Sequence, residues 1–301
     1  MTTISSQPLA EVFGFRVDDL SDEATRYRRL KLCPFHNKAP NCTKDKANDP
    51  LGVCSIHHLP SGHGAEKQVV ITCPTRFRQN WSIAEDAAAF FFPNGNRWTS
   101  LQEVKLEDKN GASAGNIDFV LVAYDRDGSV TDFGALEVQS VYISGNVRRP
   151  FEHYIEDPAN RIYMDWAKLG KYYPRPDFLS SSRKRLVPQL LYKGGILNAW
   201  GKKQAIALQR SFFETLPRLP QVSPEHAEIA WLLYDLKPGA LGYELVLSET
   251  VYTEFNPAMS RITVPQVGEI DVFVALLQGK LDQIQPGNEQ DTTTLTDIML
   301  Q

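Results

Sequence analysis

Apolar and polar positions alternate most cleanly in the middle of the chain. From Leu101 to Ile143 the sequence reads LQEVKLEDKNGASAGNIDFVLVAYDRDGSVTDFGALEVQSVYI, a period-two pattern broken at Asn110-Gly111 and Asp127-Gly128, the two strongest short hairpin signals. It predicts a three-stranded antiparallel meander. Ahead of it, IAEDAAAFFF predicts a short helix, and 150–216 contains helical stretches such as RLVPQLLYKGGILNAW. The C-terminal part returns to β-like runs, EIAWLLYDL, YELVLSETVY and EIDVFVALL. Residues 1–80 carry no sustained period, and the tail QPGNEQDTTTLTDIMLQ is polar enough to fray or pack loosely. The texture predicts a loop-rich segment over 1–80, an α/β core over 81–285 and a tail over 286–301.

Hairpin arithmetic places the chemistry. With Asp127-Gly128 as a two-residue turn, paired positions sum to 255 and Asp118 lies opposite Glu137; with Asn110-Gly111 as the other, they sum to 221 and Asp118 lies opposite Glu103. Three carboxylates then share one row on one face, with facing Cβ atoms ~4.5–5.5 Å apart, and Gln139 points the same way. Like charges directly opposed destabilise a sheet, so the row calls for a cation. Carboxylates on rigid strands with room left for water suit Mg²⁺. The same positions also suit the solvent face of an ordinary meander. A bulge at Gly134 or a longer loop through ASAG would disperse the cluster.

The chain has 301 residues, enough for one large or two modest domains with real cores. No basic residue precedes an apolar run at the N-terminus, and no run approaches the ~18–20 residues needed to span a bilayer. A cytoplasmic protein without a membrane segment is the expectation. The net charge of −4 conceals an asymmetry, because residues 221–301 hold 12 acidic and 3 basic side chains. Residues 181–203 contain Arg183, Lys184, Arg185, Lys193, Lys202 and Lys203 and no acid, and residues 24–46 hold seven basic residues against Asp45. Such blocks face either solvent or a polyanion.

All four cysteines, Cys33, Cys42, Cys54 and Cys73, fall in the loop-rich first segment, with His36, His57, His58 and His63. Their spacing, C-x8-C-x11-C-x18-C, lacks the C-x2-C knuckle of zinc ribbons. Separate buried thiols and one four-thiolate site are both open; a four-sulfur site suits iron or zinc and would be structural. The histidines lack the ββα setting of an H-N-H nuclease and read as surface or loop residues. No G-x-S-x-G, Walker or dinucleotide motif is present.

Asp118 followed on the next strand by Glu137-Val138-Gln139 resembles the PD-(D/E)XK nuclease core, with Asn116-Ile117 where a proline would precede the Asp and Gln139 where the motif usually has lysine. An amide cannot take a proton, so the departure shifts water activation towards the metal. The segments CPFHNKAPNCTKDKANDPLGVCS, ITCPTRF, GNIDFVLVAYD, GALEVQSVYISGNVRRPF and LVPQLLYKGGILNAWGKK extend the likeness. Over about residues 10–280 the chain resembles the NotI family of type II restriction endonucleases. That resemblance implies a PD-(D/E)XK core, a mixed sheet flanked by helices, joined to a four-cysteine metal segment that leans towards iron. It implies a homodimer that cuts both strands of a specific, palindromic duplex site with Mg²⁺, partnered in its host by a cognate DNA methyltransferase. It marks Asp118, Glu137 and Glu103 as Mg²⁺ ligands and Gln139 as the fourth catalytic position.

Arg148, Arg149, Arg183, Lys184, Arg185 and Lys193 are the candidate DNA contacts, most of them to phosphate. The competing expectation is a metal-stabilised DNA-binding or regulatory module that does not cut. Against it stands the acid row, because uncompensated carboxylates repel phosphates.

Overall fold

The meander forms one side of the larger sheet in a computed structural model that describes residues 7–36, 41–46, 48–59, 67–92, 95–169, 173–239, 242–265 and 267–283. The chain divides into two compact units, Met1–Thr263 and Val264–Gln301. In the first, an N-terminal antiparallel sheet contains β1 (Leu9–Val12), β2 (Phe15–Arg16), β3 (Val53–His58) and β4 (Gln68–Ile71), in the order β2-β1-β3-β4. A six-stranded sheet follows, built from β5 (Trp98–Glu107), β6 (Ser113–Tyr124), β7 (Val130–Gln139), β8 (Gln204–Gln209), β9 (Ile229–Gly239) and β10 (Gly242–Thr253). Its order is β10-β9-β8-β7-β6-β5. β8 runs parallel to both β7 and β9 and the other pairs are antiparallel, so this is a mixed sheet flanked by helices.

The two hairpin turns are not the two-residue turns that Asn-Gly and Asp-Gly suggest. In each loop an aspartate stands three residues ahead of the glycine and caps the backbone. Asp108 Oδ1 accepts from the N–H groups of Asn110 and Ala112, and Asp125 Oδ1 from those of Asp127 and Ser129. Gly111 and Gly128 take the left-handed conformation that each loop needs, at φ +75° and +82°. The pairs next to the loops, Glu107 with Ser113 and Tyr124 with Val130, are therefore one out of step. A bulge beside each then restores the sums of 221 and 255, and Gln102 pairs with Phe119 and Phe119 with Leu136.

The inner strands of the sheet are covered on both faces. Helix α1 (Ser82–Phe91) lays Ala87, Ala88, Phe90 and Phe91 over Phe119, Leu121, Ala123, Leu136 and Val138. Gly134 marks no bulge: a Cβ there would stand 2.5 Å from the Phe91 ring, so glycine is what lets the helix sit down. The other face, where even-numbered β6 and odd-numbered β7 residues point, is covered by a helix over 178–199 through Leu186, Leu190 and Leu197. We call this helix α2. It includes two π-helical turns, Ser182–Leu186 and Leu190–Gly194, on either side of Pro188, which has no N–H to give an α-helical ladder.

Residues 1–80, expected to be loop-rich, contain the sheet β1–β4, whose strands are too short to show a sustained period. Two further expectations are corrected. QAIALQ forms the wholly buried strand β8 inside the stretch read as helical, because a parallel strand covered on both faces shows no alternation. EIDVFVALL lies in helix α3 (Ile270–Asp282) rather than in a strand, in a run without proline that continues through ALLQ and KL, good helix formers, beyond the apolar stretch. α3 belongs to the second unit, and all its side chains are exposed. The tail over 286–301 and His63 lie outside the described residues.

Candidate active site

The register places Glu103, Asp118 and Glu137 at one level across β5, β6 and β7, on the face covered by α2. Glu103 and Asp118 line a cleft of about 180 Å³ with Gln139, Arg78, Arg185 and Gln189. Glu137 lies beneath it and is only 5% exposed. The ladder between β6 and β7 stops at this level, where Asp118 Oδ2 accepts the Val138 N–H at 2.8 Å in place of a backbone carbonyl. Glu103 has φ +53°, a left-handed conformation that L residues adopt at a cost of about 1–3 kcal/mol.

Burial and mutual repulsion shape the charges. Burial, with Glu103 nearby, lifts the Asp118 carboxyl above its usual range despite the Val138 N–H. Burial and the Asp118 charge push Glu137 up to about 7, against the pull of the Lys193 ammonium. Lys193 Nζ lies 2.7 Å from Glu137 Oε1, an ion pair almost closed to solvent. Beyond Lys193 and the neighbouring Asp118 carboxyl, no other donor among the described residues meets the Glu137 oxygens. A buried carboxylate with so few donors is costly unless a further cation completes it. Three carboxylates are the hard-oxygen donors that Mg²⁺ accepts. Gln139 donates from Nε2 to Gln189 Oε1 at 2.6 Å, so its own oxygen is free to turn to the cleft.

The basic candidates separate. Arg185 lines the cleft with its guanidinium 4.9 Å from the Tyr142 ring centroid, and Arg149, Arg183 and Lys184 are exposed. Arg148 instead bridges Asp45 and Asp49, holding the first segment to the strand-to-helix corner after β7. Lys193 is buried inside the acid row, away from any surface a phosphate could approach. Sequence reasoning missed Arg78 and Gln189. Arg78 stacks on Trp81 and Phe119, and Gln189 lies one turn from both Arg185 and Lys193, so a four-residue stripe on the KRLVPQLLYKG helix was its only signal.

The four cysteines come together across 41 residues of sequence. Cys33, Cys42, Cys54 and Cys73 all border one small cavity of about 10 Å³, room for a single water-sized particle, closed by Phe13, Leu51 and Val53. All four are free thiols. Burial raises Cys33 to about 11 and lifts Cys42 and Cys54 as well, with neighbouring cysteines adding to each. Cysteine is the residue type that a tetrahedral thiophilic metal takes, and all four border this one cavity. Among the described residues, however, no three His, Cys, Asp or Glu side chains are drawn together as a formed metal cluster, at the thiols or at the acid row. His36, His57 and His58 do not line the thiol cavity.

Fold and cleft thus define an α/β protein with an acid row under a basic helix. The family described as Restriction endonuclease NotI matches residues 11–247, and the chain belongs to it. Membership implies a restriction endonuclease, an enzyme that cuts DNA. Comparison with the curated proteins returned no match. Among the described residues no helix is long and apolar enough to cross a membrane.

Proposed function

We propose that the chain is a Mg²⁺-dependent type II restriction endonuclease that hydrolyses both strands of duplex DNA at a specific palindromic site, with Glu103, Asp118, Glu137 and Gln139 as its PD-(D/E)XK centre. The observation that supports this reading is the alignment of Glu103, Asp118 and Glu137 at one level of three neighbouring strands, the first two lining the cleft and Glu137 buried beside Lys193. Asp118, Glu137 and Glu103 would hold the divalent cation, whose charge stabilises the phosphorane-like transition state and acidifies a water. Gln139, its amide nitrogen tied to Gln189, offers an oxygen to orient the attacking water but no base to deprotonate it. Arg78 and Arg185 border the cleft where a scissile phosphate would enter, and the exposed Arg149, Arg183 and Lys184 extend the basic rim.

Each chain has one such row, and two cuts at a palindrome need two rows related by a twofold axis. The working unit is therefore a homodimer, acting in the cytoplasm beside a methyltransferase that protects the host site. Sedimentation of the DNA-bound protein should give twice the 33.9 kDa chain mass, and a single-chain mass on DNA argues for nicking instead. The four cysteines would hold structural iron or zinc.

The deciding experiment incubates the protein with long duplex DNA and Mg²⁺. Discrete, reproducible fragments are expected. A smear removes the site specificity, and intact DNA leaves the non-cutting binding module as the better reading.

A further inference from the structure

α2 reaches into the acid row at two points four residues apart. Gln189 takes up the amide of Gln139, and Lys193 sets its ammonium 2.7 Å from Glu137 Oε1 while donating to the Asn116 carbonyl oxygen at 2.8 Å. Lys193 is 5% exposed, as is Glu137, and a lysine is rarely buried to that degree unless its charge is used. Several features of the sequence serve this placement. The lysine stem lies against Gly115, whose φ of +105° is a conformation that L residues rarely adopt. The next residue, Gly194, lets the helix close on β8 and the C-terminal part of the unit, because a Cβ there would stand 2.7 Å from Gln204 Oε1 and 2.9 Å from the Phe255 ring. Gln204 Nε2 in turn donates to the Gly194 carbonyl at 3.1 Å. Lys193 also lies in a π turn, where one extra residue per turn re-aims a side chain, and such turns gather at functional sites.

We propose that Lys193 is a positioning residue of the acid row: it holds Glu137 in line with Asp118 and sets the net charge of the site to that of one divalent cation. This rests on the reading of the row as the metal-binding centre. With a cation bound, the three carboxylates would carry three negative charges, and the ammonium would leave two. Without it, the buried row would be overcharged for a divalent ion and better matched to a trivalent one. Gln139 is neutral, so no residue at that motif position supplies this charge. The ammonium comes instead from the helix packed across the row, some 50 residues further along the chain, which is why the motif alone does not reveal it.

The test compares Lys193→Met, Lys193→Arg and Asp118→Ala with the parent in the full chain, probing Ca²⁺ binding by calorimetry, Tb³⁺ binding by luminescence, thermal melting and Mg²⁺-dependent single-turnover cleavage of long duplex DNA. Lys193→Met should shift the affinity ratio towards Tb³⁺ by about tenfold, the order expected for one unit charge in a partly buried site. Its cleavage should fall at least roughly 100-fold. Lys193→Arg keeps the charge and should hold the ratio near the parent's. A merely structural lysine would lower the melting temperature of Lys193→Met and leave the ratio alone, and that result, like parental cleavage, overturns the proposal. Should Lys193→Met not fold, Lys193→Arg decides: a folded variant whose ratio moves towards Tb³⁺ overturns it, and one with parental ratio and retained cleavage supports it. Asp118→Ala separates the two readings. If it cuts at the parental rate, the acid row is not the centre and both fall; if it is inactive while Lys193→Met keeps parental ratio and rate, this inference alone fails.

Discussion

Glu103 occupies a backbone conformation that few residues tolerate, inside a strand whose pairing is regular on both sides of it. Such local strain persists only where surrounding structure holds it, and here it turns the outermost carboxylate towards the cleft. Gln139 is the quieter member of the set, fixed through its nitrogen by Gln189. Since it is no metal ligand in this arrangement, Gln139→Ala should slow cleavage by about 10²-fold while leaving Mg²⁺-dependent DNA binding within a few-fold of the parent, measured by single-turnover kinetics and filter binding. Loss of binding as large as the loss of cutting would assign it to holding DNA instead. A second residue makes the protein acid-sensitive away from the site. His57 has its ring largely enclosed, and burial, with Lys67 adding to it, depresses its pKa to about 4. Its Nδ1 has no hydrogen-bond partner. The unfolded chain, with His near 6.5, binds the proton that the folded one refuses. Stability is therefore full above about pH 6.5 and is lost as pH falls towards 4, by up to about 2 kcal/mol after allowing for partial exposure. Melting curves of His57→Gln should be flatter over that window than the parent's; identical slopes would show that other groups carry the acid sensitivity.

At the scale of elements, the acid row depends on how closely helices pack against a sheet. The Phe91 ring of α1 rests directly on Gly134, in the same strand as Glu137 and Gln139. Gly134→Ala should cost about 1–3 kcal/mol by overpacking, visible as a lower denaturation midpoint at unchanged slope, and should reduce cleavage by displacing β7. A neutral effect on midpoint would mean that α1 shifts freely and is not what holds the row level. The meander was legible in the sequence because its two glycine turns and its alternation agree, and the register follows from turn positions even though the loops turned out longer and bulged. The common level of Glu103, Asp118 and Glu137 on the three strands was legible for the same reason. What sequence could not reveal was the partner face. β8 hides as an apolar run, and α2 brings Lys193 and Gln189 to the row only because a π-distorted helix crosses it, a matter of tertiary packing with no local signature beyond a four-residue stripe and a Gly-Gly pair.

For the molecule as a whole, the cysteine segment and the central sheet are joined by buried polar ties rather than by a linker. The Gln209 side chain accepts from the Ile71 N–H and donates to the Val69 carbonyl, Val141 N–H donates to the Ile71 carbonyl, and the Glu11–Arg76 pair is sealed from solvent, with Arg76 also donating to the Tyr243 carbonyl. A loss of order around the thiol cavity should therefore be felt in the sheet that carries the acid row. The two proposed metals differ in character and predict two separable phenotypes. A thiolate site holding iron or zinc would couple metal to folding, whereas the carboxylate row would exchange a hard ion through oxygen. Cys33→Ser should lose the tightly held metal and melt about 10 °C lower, a few kcal/mol at ~2–4 °C per kcal/mol for a chain of this size, with activity falling in step with folding. Asp118→Ala should keep that metal, melt near or above the parent because a repelled buried carboxylate is gone, and bind DNA without cutting it. Elemental analysis and melting of both proteins beside the parent distinguish the cases. If Cys33→Ser binds metal and melts like the parent, the four cysteines are ordinary buried thiols around a void, and the stability of the first segment comes from the Glu11–Arg76 pair and its apolar neighbours alone.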